Sequence, residues 1–125
     1  MPAYFLDTYA LIEITKQNPK CKKFSSIKES LTGNLNLMEL YYCSNREFGR
    51  ETAERDYGLF APIRVAYSEE TMKRAMELRI KLRLEKKLKL SYADAVGYQI
   101  AIENKLQFVT GDGAFKELAG VEFIG

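Results

Sequence analysis

The stretch "AYFLDTYALIEITK", Ala3 to Lys16, changes character at its fifth residue. The apolar run Ala3–Leu6 reads as a short strand, and Asp7-Thr8 forms a strand-to-helix junction. Beyond it, Tyr9, Leu11, Ile12 and Thr15 recur in a helical pattern that ends near Asn18-Pro19. If strand and helix go on alternating, the chain is an α/β protein. The acid at the junction then stands where such proteins bind their ligands.

The alternation continues. A second helix is expected over Lys20–Ser30, with Phe24, Ile27 and Leu31 inward, and Gly33 ends it. "NLNL" (34–37) reads as a brief strand or as a loop feeding a long helix from about Met38 to Tyr57, broken near Asn45 or Gly49. "PIRVAY" (62–67) is a strand candidate, and Ser68-Glu69-Glu70 is an N-cap followed by acids that suit the helix dipole. That helix runs to about Lys87, with Met72, Ala75, Met76, Leu78 or Arg79, and Leu82 as its apolar line. Ser91–Asn104 is the next helix, "LQFVT" (106–110) a strand, "GDGAFKEL" a turn into a short helix, and "VEFIG" a final strand. The pattern predicts an α/β fold with a mostly parallel sheet and helices on both faces. No linker or repeat divides residues 1–125, so one domain is expected.

Composition narrows the chemistry. The chain is 46% apolar and 29% charged with a net charge of +2, which is ordinary for a globular protein and excludes disorder. There is no histidine, and Cys21 and Cys43 form no C-x-x-C pair. That excludes a structural zinc site and all histidine-based triad or general-base chemistry. A disulfide is not needed at this length. Carboxylates with a hard metal are the tools that remain for an enzyme. "MPAYFLDTYALIE" lacks a basic n-region, and Asp7 interrupts its apolar run, so it does not read as a signal peptide. No stretch approaches the roughly 20 apolar residues that span a bilayer. A cytoplasmic protein without membrane partners is expected.

In open α/β sheets, ligands bind beyond the carboxyl ends of the strands. Four acids hold such places. Asp7 follows "AYFL", Asp112 lies two residues after "FVT", Glu39 opens a helix after "NLNL", and Asp94 opens the helix after "KLKLSY". Capping explains each one singly. Asp7 suits an N-cap, Asn36-x-x-Glu39 and Ser91-x-x-Asp94 suit capping boxes, and Asp112 suits a turn between glycines. Asp94 also borders a buried face made by Ala93, Val96, Gly97, Ile100 and Ala101, where Gly97 and Ala101 suggest close approach of other backbone. Capping does not explain four acids meeting at one edge. Converging carboxylates repel, and a cation offsets that repulsion; oxygen-only ligands select Mg²⁺ or Mn²⁺.

"FLDTYALIE", "LNLMELYY", "LSYADAVGYQIA" and "FVTGDGAF" resemble, in order and spacing, the four acidic motifs of the PIN-domain family, and within it the VapC-like toxin ribonucleases. The resemblance runs from residue 3 to 124. It implies a three-layer sandwich with a central parallel five-stranded sheet, order 3-2-1-4-5, and Mg²⁺- or Mn²⁺-dependent hydrolysis of RNA by metal-activated water. It makes Asp7 the first acid and a direct metal ligand. Glu39 and Asp94 complete the cluster, ligating directly or through water, and Asp112 is the fourth acid. Thr8 and Thr110 match supporting hydroxyls of the family. It also implies a homodimer and a small antitoxin partner, to which the aromatic region "LMELYYCSNREF" suits an interface. One departure concerns the last motif, often T-x-D-x-D-F, where Ala114 takes the place of the second acid. That bears on a second metal more than on the first.

Eight Lys or Arg residues lie between Lys73 and Lys89, against Glu77 and Glu85. A solvated helix face accounts for such a run, and so does a phosphate-binding flank leading to Asp94, with Arg83, Lys86, Lys87 and Lys89 as the RNA contacts. Tyr92 and Tyr98 could stack on bases. Among rival readings, a haloacid-dehalogenase-like phosphatase needs D-x-D at the first acid, but residue 9 is Tyr. A receiver domain needs an acidic pair there and an Asp after "RVAY". A catalytically silent PIN-like module that binds RNA or protein is the remaining alternative.

Overall fold

A computed structural model describes residues 2–24 and 27–125. Four strands, β1 (Tyr4–Leu6), β2 (Ser30–Leu31), β3 (Gln107–Thr110) and β4 (Val121–Phe123), form one sheet in the order β2-β1-β3-β4. Every pairing is parallel, with Phe5 opposite Leu31 and Phe108, and Val109 opposite Glu122. Among the described residues five α-helices surround it: α1 (Thr8–Thr15), α2 (Asn34–Phe48), α3 (Arg50–Phe60), α4 (Glu69–Lys86) and α5 (Tyr92–Glu103).

Side-chain alternation along a strand explains the layers. Phe5 and Phe108 point to one face, where they meet Ala75 and Leu82 of α4, Val96, Ile100 and Ala101 of α5, and Phe115. Leu6 and Val109 point to the other, against Ala10 and Leu11 of α1, Leu37 and Leu40 of α2, and Phe60. The rings of Phe108 and Phe115 lie 4.7 Å apart, and each buried phenylalanine contributes roughly 2–3 kcal/mol of hydrophobic stabilisation. Gly97 does face a close approach, but from rings rather than backbone. A Cβ there would stand 2.8 Å from Phe5 Cε1 and 3.2 Å from Phe108 Cε1.

The expected five-stranded sheet is a four-stranded one. "PIRVAY" is not a strand: Ala61–Ile63 turns as a 3₁₀ helix, and Pro62 has no N–H to give a ladder. What remains is a single parallel bridge beside β2, in which Thr32 donates to the Ile63 carbonyl (3.1 Å) and Val65 donates to the Thr32 carbonyl (2.9 Å). "NLNL" is the start of α2, with Gly33 as its N-cap. The helix expected over Lys20–Ser30 is instead two 3₁₀ turns, Pro19–Phe24 and Ile27–Glu29, followed by β2; its Ser25, its Ser26 and the Ile27 side chain fall outside the described residues. The break expected near Asn45 or Gly49 falls at Gly49, whose φ of 97° separates α2 from α3. Cys21 and Cys43 are free thiols. Among the described residues no helix is long and apolar enough to cross a membrane.

Candidate functional site

Parallel strands all end at one edge, so the residues that follow them become neighbours. Asp7 leaves β1 with extended backbone and N-caps α1, its Oδ1 accepting from Ala10 N–H at 2.8 Å. Its backbone N–H donates to the Val109 carbonyl, which ties the turn to β3. Thr110 ends β3 fully buried; its hydroxyl bonds the Asp7 carboxylate and accepts from Asp112 N–H at 3.1 Å. Asp112 caps the turn Gly113–Phe115 by accepting from Ala114 N–H at 2.9 Å. One hydroxyl therefore stands between the Asp7 carboxylate and the backbone of Asp112.

Glu39 arrives from the second turn of α2. Thr8 Oγ1 donates to its Oε1 at 2.5 Å, and the buried Asn36 Nδ2 donates to the same Thr8 hydroxyl at 3.2 Å. The Asn36-x-x-Glu39 capping box is thus corrected: both residues lie inside the helix, and Asn36 reaches across to α1. Asp94 sits in the first turn of α5. There the capping box holds, with Ser91 Oγ accepting from Asp94 N–H at 3.0 Å and Ser91 bonding back to the Asp94 carboxylate.

Electrostatics shows that these acids share one region. Burial pushes the Asp7 carboxyl up to about 7, against hydrogen bonds from Thr110 and Ala10, and repulsion from Asp94 and Asp112 adds to the rise. Burial likewise raises Asp94 to about 6, offset by its bonds from Ser91 and reinforced by Asp112 and Glu39. None of the four is in an ion pair among the described residues. Such a set of oxygens, short of positive charge, fits a hard divalent cation. It is not a closed shell: among the described residues no group of three or more His, Cys, Asp or Glu side chains is gathered tightly enough to hold an ion outright.

Three contributors to this edge were not singled out in the sequence for what they do. Asn36 buttresses Thr8, where the sequence suggests a helix cap. Thr32 Oγ1 donates to the Leu6 carbonyl at 2.8 Å and fixes β2 against the end of β1. Tyr9 is exposed and lies over Gly111, where a Cβ would come within 2.1 Å of its ring. The basic residues Arg83, Lys86, Lys87 and Lys89 are all exposed on the end of α4 and the turn into α5, beside the Asp94 end of that helix. Tyr92 is exposed, whereas Tyr98 packs on Phe108 and Phe115 and donates to the Ala119 carbonyl, so it is not free to stack on a base.

Comparison with solved structures places the fold. VapC20 of Mycobacterium tuberculosis, a sarcin-ricin loop cleaving toxin, superposes with a TM-score of 0.77 at 18% identity, covering 96% of this chain and 98% of that one. DNA-bound VapBC of Salmonella typhimurium gives 0.75 at 18% identity, with 98% and 97% covered. VapBC2 of Rickettsia felis, bound to a DNA fragment from its promoter, gives 0.74 at 20%, with 97% and 96% covered. No curated protein matches the chain in sequence. The PIN domain family model matches residues 4–121, a span that takes in all four acids and every strand but the end of β4. With the parallel sheet and its acid-bearing edge, that match shows that the chain belongs to the PIN domain family.

Proposed function

We propose that this chain is a divalent-metal-dependent endoribonuclease, the toxin of a VapBC-type toxin–antitoxin pair. The observation that carries the reading is a sheet edge at which Asp94 and Asp112 repel Asp7, and Asp112 and Glu39 repel Asp94, with none of the four in an ion pair among the described residues. Family membership supports it, and so do neighbours that are themselves toxins or toxin–antitoxin complexes.

Asp7, Asp94 and Asp112 would hold Mg²⁺ or Mn²⁺, with Glu39 completing the set directly or through water. When bound, the ion lowers the pKa of a coordinated water and neutralises charge growing on the phosphodiester. The chain's own residues prepare the place. Ala10 N–H and Thr110 hold Asp7 in one rotamer, Thr8 holds Glu39, and the α5 cap holds Asp94. Arg83, Lys86, Lys87 and Lys89 attract the RNA backbone towards that edge. Met72, Ile80 and Leu84 leave an exposed apolar stripe on α4, which suits the homodimer of this reading. A small antitoxin protein is its second partner.

The test is cleavage of RNA by the purified chain with Mg²⁺ or Mn²⁺, beside Asp7→Asn and Asp94→Asn. Metal-dependent cleavage that both substitutions abolish is expected. Equal cleavage by all three proteins would expose a contaminating nuclease and sink the assignment. No cleavage by any would leave a silent PIN-like binding module in its place.

A further inference from the structure

The buried residues of α2 are Asn36, Leu37, Leu40 and Ser44. Leu37 and Leu40 join the apolar cluster against the sheet, as removal of apolar surface from water favours. Asn36, only 2% exposed, goes against that pattern. Asparagine is a poor helix former, and a buried amide costs free energy unless it is bonded. Leucine would serve the helix and its buried face better, so packing does not account for this residue.

A hydrogen-bond relay does. Asn36 Nδ2 donates to Thr8 Oγ1 at 3.2 Å, and Thr8 Oγ1 donates to Glu39 Oε1 at 2.5 Å. The direction of the relay follows from the groups. An amide nitrogen only donates, so the Thr8 hydroxyl accepts from it and gives its single proton to Glu39. Turned over, the amide would present an acceptor and draw that proton away from the acid. Its oxygen lies instead against Gly33, where a Cβ would stand only 3.1 Å from it, and the nitrogen is left for Thr8. Among the described residues no other hydrogen bond and no ion pair holds the Glu39 carboxylate.

Resting on the metal-dependent ribonuclease reading above, we propose that Asn36 is a positioning residue, which acts through the Thr8 hydroxyl to hold the Glu39 carboxylate in place for the divalent cation. Partners one step behind a metal's ligands typically set affinity or rate by about 10–100-fold. Asn36 touches neither the cation nor the RNA, and its whole effect passes through one hydroxyl.

The test compares Asn36→Leu, Thr8→Val and the double variant with wild-type protein. Asn36→Leu keeps the size of the side chain and removes its polarity, so the metal-free protein is expected to unfold at or above the wild-type temperature. Mn²⁺ affinity, measured by calorimetry with the metal alone, is expected to fall about tenfold, and kcat about tenfold with KM for RNA little changed. Thr8→Val should give the same losses, and adding Asn36→Leu to it should change nothing further. Thr8→Ser, which keeps the hydroxyl, should behave as wild type. Asn36→Ala gives the same readings where leucine does not fit the helix face. A variant at Asn36 that loses stability but keeps Mn²⁺ affinity and kcat overturns the inference, and so do additive effects of the two substitutions. If wild-type protein binds Mn²⁺ but does not cleave RNA, the ribonuclease reading fails by itself. The Mn²⁺ titrations then still decide: affinity lost in Asn36→Leu supports the relay, and affinity kept overturns it. Wild-type protein that binds no Mn²⁺ overturns both.

Discussion

Helix α5 carries an acid near each end, and the two are treated in opposite ways. Glu103, at the C-terminal end, accepts from Thr71 Oγ1 (2.7 Å), Arg74 Nε (2.6 Å) and Gln99 Nε2 (2.7 Å). Those hydrogen bonds hold its carboxyl down to about 2, and they fasten α5 to the start of α4. Asp94, at the N-terminal end, is raised to about 6 by burial, with two further carboxylates adding to the rise and its own cap opposing it. The C-terminal end satisfies its acid locally and gains stability. The N-terminal end leaves its acid short of positive charge, which is stability given up at the place proposed for the chemistry.

The sharpest way to break this contrast is to neutralise each acid. Asp94→Asn or Asp7→Asn is expected to lower RNA cleavage by about 10²–10⁴-fold without loss of fold. Glu103→Gln should leave cleavage within about twofold, and a comparable loss there would erase the division of labour. Metal-dependent cleavage rates with circular dichroism as a folding control decide it.

Titration should separate the two ends next. Between pH 4 and 7 the folded chain keeps a proton on Asp7 that the unfolded chain has released, so metal-free stability falls as pH rises through that window. The buried Asp7 alone accounts for as much as roughly 4 kcal/mol, and Asp94 acts in the same direction up to about pH 6. Glu103 acts oppositely: its stabilisation is complete above pH 4.5 and is lost as pH falls towards about 2. Urea unfolding of the metal-free protein should therefore show greatest stability near pH 4. Millimolar Mg²⁺ should lift the neutral side, and Asp7→Asn should flatten it. A metal-free optimum at pH 7–8 would contradict the burial of Asp7.

A smaller effect is expected from Glu103→Ala. Its carboxylate is partly solvated, which weakens the Arg74 pair, so a loss of about 1–2 kcal/mol is expected, seen as a fall in melting temperature of roughly 3–8 °C. An unchanged melting temperature would show that the C-terminal end is no clamp. The smallest effect lies in the turn that feeds the Asp94 end. Lys87 adopts φ 58°, a left-handed conformation suited to glycine, while its N–H donates to the Arg83 carbonyl. Lys87→Gly should stabilise the chain by up to about 1 kcal/mol and reduce the salt dependence of RNA binding by about one charge. Weaker stability in that variant would mean the lysine stem packs against the turn.

Legibility in the sequence followed how local each signal was. Asp7, Asp94 and Asp112 were readable because each follows a strand or opens a helix within a few residues, and capping chemistry marks such places. The 3₁₀ turns over Pro19–Phe24 and Ile27–Glu29 were read as one helix because recurring apolar residues look alike in both. Strand β2 was hidden for the same reason, being only two residues long. Val65 and Tyr67 alternate as strand residues do, yet Pro62 and the preceding 3₁₀ turn leave only one bridge. Asn36 looked like a cap because its real partner, Thr8, lies twenty-eight residues away. Tyr92 and Tyr98 were equivalent as letters, and only packing against Phe108 and Phe115 divides them.

The single Thr32–Arg64 bridge also governs how this molecule can meet others. A long, flat outer strand would offer a ladder of free backbone groups to any extended chain, and strand-by-strand addition is the usual route to fibrous self-association. Here that border shrinks to one contact next to a proline and an arginine. The opposite border is a three-residue strand crossed by the Lys23–Glu122 ion pair. Neither border is a template for growth. A second copy, or an extended partner, is steered to the helical faces instead, where contacts are made by side chains and can be told apart by shape and charge.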